Sequence, residues 1–162
     1  MRALNPTALP VTPTYDFANP QSDGSDTCWY ATNVKALSSV APSLQSLLQI
    51  DRGVDFYWYA TSLQADVTTA GDNSQTESTL VIPLVTVLIQ DAASGRNLEN
   101  LSFPVTSLAG DGERPYGLIL PRIIRGATAL SFFWTSKVAA GTTYNNLFLV
   151  LHGFTRPSAW PS

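Results

Sequence analysis

Charged residues are scarce in this chain of 162 residues: they make up 13% of it, against about 25% in ordinary globular proteins. The net charge is −3, and no basic run occurs. Because binding nucleic acid through its phosphates requires clustered positive charge, we expect no nucleic-acid partner. A surface poor in Lys and Glu is typical of a protein interface, and equally of a neutral β-protein rich in serine and threonine.

Cysteine and histidine occur once each, as Cys28 and His152. One copy therefore cannot form an internal disulfide or a zinc site of Cys and His ligands, and we expect no metal and no cofactor. The N-terminus lacks the apolar segment of a secretory signal. The longest apolar run, residues 80–89, is about half as long as a membrane span. We expect synthesis in a cytoplasm and no membrane partner.

Hydrophobic residues account for 44% of the sequence, enough to bury a core in one domain. Several short segments alternate apolar and polar residues and are separated by turn-forming residues. Residues 129–136 place Leu130, Phe132 and Trp134 on one face. Residues 145–155 place leucines on one face and Phe148, Val150, His152 and Phe154 on the other. The pattern predicts an all-β, jelly-roll-like antiparallel sandwich over residues 28–162.

Residues 1–27 form a separate segment, punctuated by prolines that exclude a helix and a regular strand. We predict an extended N-terminal arm, held by its own domain or, preferably, by a neighbouring subunit. Its candidate contact residues are Pro6, Pro10, Pro13, Tyr15 and Phe17.

Residues 34–50 are ambiguous. Leu44, Leu47 and Leu48 have the i, i+3, i+4 spacing of one helical face, and Pro42 suits the first turn of a helix. The spacing predicts a short helix that begins near Pro42.

Two of the predicted strands carry apolar residues on both faces, although one face of a sheet in a sandwich is normally polar. The additional apolar face must then be covered by the arm, by a loop or by another subunit. Its interface candidates are Tyr57, Tyr59, Phe148 and His152.

The segment GERPYGLILPRIIRGATALSFFWTS, residues 112–136, contains two prolines and three arginines within a strand-like pattern. Pro115 and Pro121 remove backbone donors, so we expect this run to lie at or across a sheet edge. Arg114, Arg122 and Arg125 are then expected to point toward carboxylates of an adjacent subunit, because the guanidinium group suits interface pairing.

Catalytic patterns are weak. The sequence contains no G-x-S-x-G motif, and His152 lies in the middle of a predicted strand. We therefore predict a protein that is not an enzyme. Tyr57, Trp58, Tyr59 and Trp134 offer an alternative, because exposed rings of this kind stack on sugars in carbohydrate-binding sandwiches. The same residue types also suit a subunit interface.

The order of segments over about residues 50–155 resembles that of small accessory virion proteins of tailed bacteriophages. The resemblance depends on layout and on a few residues: Asp55, Phe56, Asp91, Gly95, Pro115, Pro121, Gly126 and Gly153. It implies a jelly-roll-like sandwich that acts as a capsid cement or decoration protein, or as a ring component of the neck or collar. The implied partners are copies of the chain and other virion proteins, either the major capsid protein or portal and connector proteins.

Overall fold

A computed structural model of the chain describes residues 26–69, 76–78, 83–110, 114–138 and 140–158. Nearly all of this part of the chain is β-structure. The strands are β1 (Asp26–Ser38), β2 (Ser43–Gln49), β3 (Val54–Thr69), β4 (Thr76–Ser78), β5 (Val85–Asp91), β6 (Phe103–Pro104), β7 (Tyr116–Ile124), β8 (Ala129–Ser136) and β9 (Thr142–Pro157). A 3₁₀ turn, Val105–Ser107, follows β6.

The strands form two antiparallel sheets that pack face to face. The first sheet has the order β1-β9-β3, and both β7 and β4 pair with the far side of β3. The second sheet has the order β2-β8-β5-β6. Successive strands cross repeatedly between the two sheets, which is the arrangement of a jelly roll. The predicted all-β sandwich is thus confirmed.

The core between the sheets follows the predicted alternation. Leu147, Leu149 and Leu151 of β9 are fully buried and face Phe132 and Trp134 of β8 within one cluster. Since successive residues of a strand point to opposite faces, Phe148, Val150, His152 and Phe154 lie on the outer face of the first sheet. The candidate interface lies on this outer face and on the neighbouring sheet edge, which is formed by β7.

The predicted helix near Pro42 is wrong, because residues 43–49 form strand β2 and pair with β8. Ser46 faces inward, so a polar residue interrupts the apolar side of the alternating pattern that would have indicated a strand. Its hydroxyl accepts a bond of 2.8 Å from Trp134 Nε1 and one of 2.7 Å from Thr32 Oγ1. A polar residue can occupy an inward position when its hydrogen bonds are made there.

Strand β1 includes residues 26 and 27, which precede the predicted start of the sandwich domain. β1 begins at Asp26, and Asp26 and Thr27 pair with Thr155 and Phe154 of β9. The arm candidates Pro6, Pro10, Pro13, Tyr15 and Phe17 lie outside the described residues.

Candidate subunit interface

The edge strand β7 carries a large bulge. Trp58 of β3 pairs with Arg122, and Ala60 pairs with Gly117. The single residue Tyr59 therefore opposes four residues of β7, 118–121, between the two paired positions. A bulge of this kind bends a strand and turns its side chains away from the sheet. Among the described strands, β7 pairs only with β3, which fits the edge position expected from Pro115 and Pro121.

The side chains on and beside this bulge are apolar and exposed to solvent. The exposed fractions are 100% for Ile119, 77% for Leu120, 59% for Ile123 and 50% for Tyr116. Pro121 within the bulge and Pro115 before the strand are also exposed. Contiguous exposed apolar side chains on a sheet edge mark a protein interaction site. We call Tyr116, Ile119, Leu120 and Ile123 the β7 patch.

Among the three arginines of this segment, Arg122 contacts both a carboxylate and an aromatic ring of its own chain. Arg122 Nη1 lies 2.6 Å from Oε1 of Glu99 in the same chain, and its guanidinium carbon lies 5.8 Å from the Trp58 ring centroid. This side chain thus has an ion-pair partner within its own chain, and its pairing with a carboxylate of a neighbouring subunit stays a prediction. Arg114 and Arg125 flank β7 at its two ends and are exposed.

Tyr57, an interface candidate, is engaged within its own sheet. Its ring stacks on Phe154 with centroids 4.8 Å apart. The Arg156 guanidinium carbon lies 5.3 Å from the Tyr57 centroid and 5.4 Å from the Phe154 centroid. Tyr59 and Phe148 are half-buried on the same sheet. Tyr57 pairs with Ile123 of the β7 patch, and Tyr59 lies opposite the bulge, so these two residues adjoin the patch.

His152 forms a hydrogen bond with Ser62, with Nε2 and Oγ 2.8 Å apart. Burial lowers the pKa of the His152 imidazole, since desolvation disfavours its charged form. Ser62 is itself buried, so its hydroxyl is poorly placed to attack a substrate. The arrangement satisfies two partly buried polar groups in the sheet.

The aromatic platform expected for sugar binding is not formed, because Trp58 and Trp134 are fully buried in the core. Trp29 of β1, which sequence reasoning missed, is 65% exposed. It lies opposite His152 in the pairing of β1 with β9. The signal that would have found it is the alternation of β1, whose residues were assigned to no predicted strand.

The described residues contain no group of three or more His, Cys, Asp or Glu side chains able to hold a metal ion. No helix in the same part of the chain is long and apolar enough to cross a membrane. Comparisons of the chain with protein-family models, curated proteins and solved structures found no match.

Proposed function

We propose that this chain is a non-enzymatic structural protein of a phage virion. In this role it stabilises the particle as a capsid cement or decoration protein, or as a ring component of the neck or collar. The observation that carries the proposal is the β7 patch, where Ile119 is fully exposed on a sheet edge. Burying one such side chain against a partner would contribute about 1.5–3 kcal/mol, so the patch favours association.

The jelly-roll fold is compatible with this role, but the fold is also shared by lectins and cupins. The resemblance over residues 50–155 favours the virion among these alternatives. Several of its residues hold turns of the sandwich: Asp55 Oδ1 accepts a bond of 3.1 Å from the Gly126 amide, and the Asp91 carbonyl accepts one of 2.8 Å from the Gly95 amide. These bonds stabilise turns of the sandwich, and the β7 patch supplies the proposed contact.

The partners in this proposal are copies of the chain and the proteins of the particle, either the major capsid protein or portal and connector proteins. The chain is made in the host cytoplasm and ends in the virion. The low overall charge fits such contacts, because interface cores are depleted in charged residues.

The proposal is tested by following the chain in particles of the virus that encodes it. Wild-type chain should sediment with purified particles, whereas the Ile119→Asp variant should stay in the soluble fraction. Val40→Asp is the matched control, because Val40 is 92% exposed in the turn after β1 and lies outside the patch. Wild-type chain that is absent from particles would overturn the proposal.

A second candidate is a carbohydrate- or receptor-binding module of a phage tail, and the exposed indole of Trp29 favours it. A flat exposed ring can stack on a sugar, and tryptophan is enriched at binding hot spots. Glycan binding that is abolished by Trp29→Ala and unaffected by Ile119→Asp would favour this candidate over the structural role.

A further inference from the structure

The outer face of the first sheet includes an uncharged surface around Trp29, whose side chain is 65% exposed. Since residues paired directly in an antiparallel ladder project from the same face, paired rows of β1 and β9 form this surface. The rows are Trp29 with His152, Ala31 with Val150, and Asn33 with Phe148. None of these side chains is Asp, Glu, Lys or Arg, and charge begins at the next row, where Lys35 pairs with Asn146. We call the three uncharged rows the Trp29 face.

The Trp29 end of this face combines a flat ring with a neutral polar group. His152 lies opposite Trp29 and is held by Ser62, with Nε2 and Oγ 2.8 Å apart. Burial lowers the pKa of His152, so its imidazole is neutral at neutral pH. An exposed aromatic ring presents a negative π face, which attracts the C–H groups on the face of a sugar ring. Ala31 in the next row is small and exposed, so it leaves room for such a ring beside the indole.

The Asn33 end of the face contains an unsatisfied hydrogen-bonding group. Asn33 Oδ1 is buried and has no hydrogen-bond partner within the described part of the chain. Asn33 Nδ2 donates to Asn146 Oδ1 over 3.5 Å, which is long for a hydrogen bond. A buried acceptor without a partner is uncommon in a native protein and calls for an explanation. Because the terminal torsion of asparagine is broad, the amide can turn this oxygen toward a donor on a ligand at small cost.

These features together match a neutral oligosaccharide. A sugar ring has an apolar face for the Trp29 indole and hydroxyl groups that can donate to the Asn33 oxygen. The two residues are four positions apart on β1, or about 13 Å, which is longer than a single sugar ring. A charged ligand would find no opposite charge within the three rows. A bound peptide strand would need a sheet edge for its main-chain hydrogen bonds, whereas this face presents side chains.

We propose that the Trp29 face binds a neutral oligosaccharide, with one sugar ring stacked on Trp29 and a hydroxyl group of a further unit donating to Asn33 Oδ1. Val150 and Phe148, both half-buried, supply the apolar floor between the two ends. The inference rests on the second candidate function above, for which it names the ligand class and the extent of the site. It uses no residue of the β7 patch. An open site of this kind should bind weakly, with a Kd of about 0.01–1 mM.

The test screens the full chain on an array of neutral oligosaccharides and their sialylated counterparts, and then measures the Kd of the strongest neutral binder by NMR titration. Trp29→Ala should weaken binding at least about tenfold, and Trp29→Phe, which keeps a flat ring, should weaken it less. Asn33→Ala should weaken binding about threefold to tenfold, as expected for one hydrogen bond. The same variant should not lower the melting temperature, because it removes a buried acceptor that lacks a partner among the described residues.

Leu47→Ala is the matched control, because Leu47 is 60% exposed on β2 of the other sheet. It should leave the Kd unchanged, as should Ile119→Asp. The absence of binding to every glycan on the array would overturn both this inference and the second candidate function. Binding that requires Trp29 but is unaffected by Asn33→Ala, or binding of sialylated glycans alone, would overturn the inference and leave that candidate standing. Binding that survives Trp29→Ala would place the glycan elsewhere on the molecule and would also overturn it.

Discussion

Arg122 on the edge strand β7 reaches back across its own domain to Glu99, with Nη1 and Oε1 2.6 Å apart. The same guanidinium lies 5.8 Å from the centroid of the buried Trp58 ring. The ion pair joins the strand that carries the bulge to the segment before β6, and its two side chains are 38% and 28% exposed. These two contacts of Arg122 therefore help to fix the position of β7, the strand that carries the β7 patch.

Replacing Arg122 with Ala should lower the free energy of unfolding by about 1 kcal/mol, from a screened ion pair and a weak cation–π contact. Chemical denaturation of Arg122→Ala, Glu99→Gln and the double variant should give a coupling energy of about 0.5 kcal/mol that decreases with added salt. Arg52→Ala is the control, since Arg52 is exposed in the turn before β3. Full additivity of the two changes would show that the pair contributes nothing.

Gly153 lies where β9 passes the Phe56 ring. A Cβ atom at this position would overlap that ring and lie 2.5 Å from the Tyr57 carbonyl oxygen. Gly153→Ala should therefore destabilise the fold by about 2–3 kcal/mol, the cost of overpacking a core. Gly117→Ala should change stability by less than about 0.5 kcal/mol, because a Cβ at Gly117 meets nothing within 4 Å. Equal melting temperatures for the two variants would contradict this packing.

His152 should make stability depend on pH near neutrality. Because burial lowers the pKa of its imidazole in the folded chain, the unfolded chain binds the proton at a higher pH. Stability should be constant above about pH 6.5 and decrease as the pH falls from there toward the folded pKa. Urea midpoints measured between pH 5.5 and 7.5 would show this decrease.

His152→Gln is the control for this pH dependence. His152 is the single histidine of the chain, and carboxylates titrate mostly below about pH 5, so the variant should have nearly constant midpoints over that interval. A decrease of the same size in His152→Gln would assign the effect to other groups.

Strands could be predicted from the sequence where apolar and polar residues alternate visibly within a single strand. β8 and β9 place large apolar residues on one face, and this pattern alone indicates a sandwich. β2 could not be read in the same way, because its inward Ser46 is satisfied by Trp134 and Thr32, which lie 88 and 14 residues away. Hydrogen bonds between distant residues leave no local signal.

Only part of the candidate interface could be predicted from the sequence. Pro121 signalled an irregular edge strand, and the exposed bulge lies there. The partner of Arg122 was not predictable, because Glu99 lies on a separate segment that only the sandwich brings near.

The most direct test of the central claim, association through the β7 patch, is sedimentation velocity of the purified chain across concentration. We predict defined oligomers for the wild type and for Val40→Asp, and monomers for Ile119→Asp. The melting temperature of Ile119→Asp should equal that of wild-type chain diluted until it is monomeric, since Ile119 is fully exposed and association itself stabilises the folded state. Wild-type chain that stays monomeric at every concentration, or an Ile119→Asp variant that assembles like the wild type, would contradict the claim.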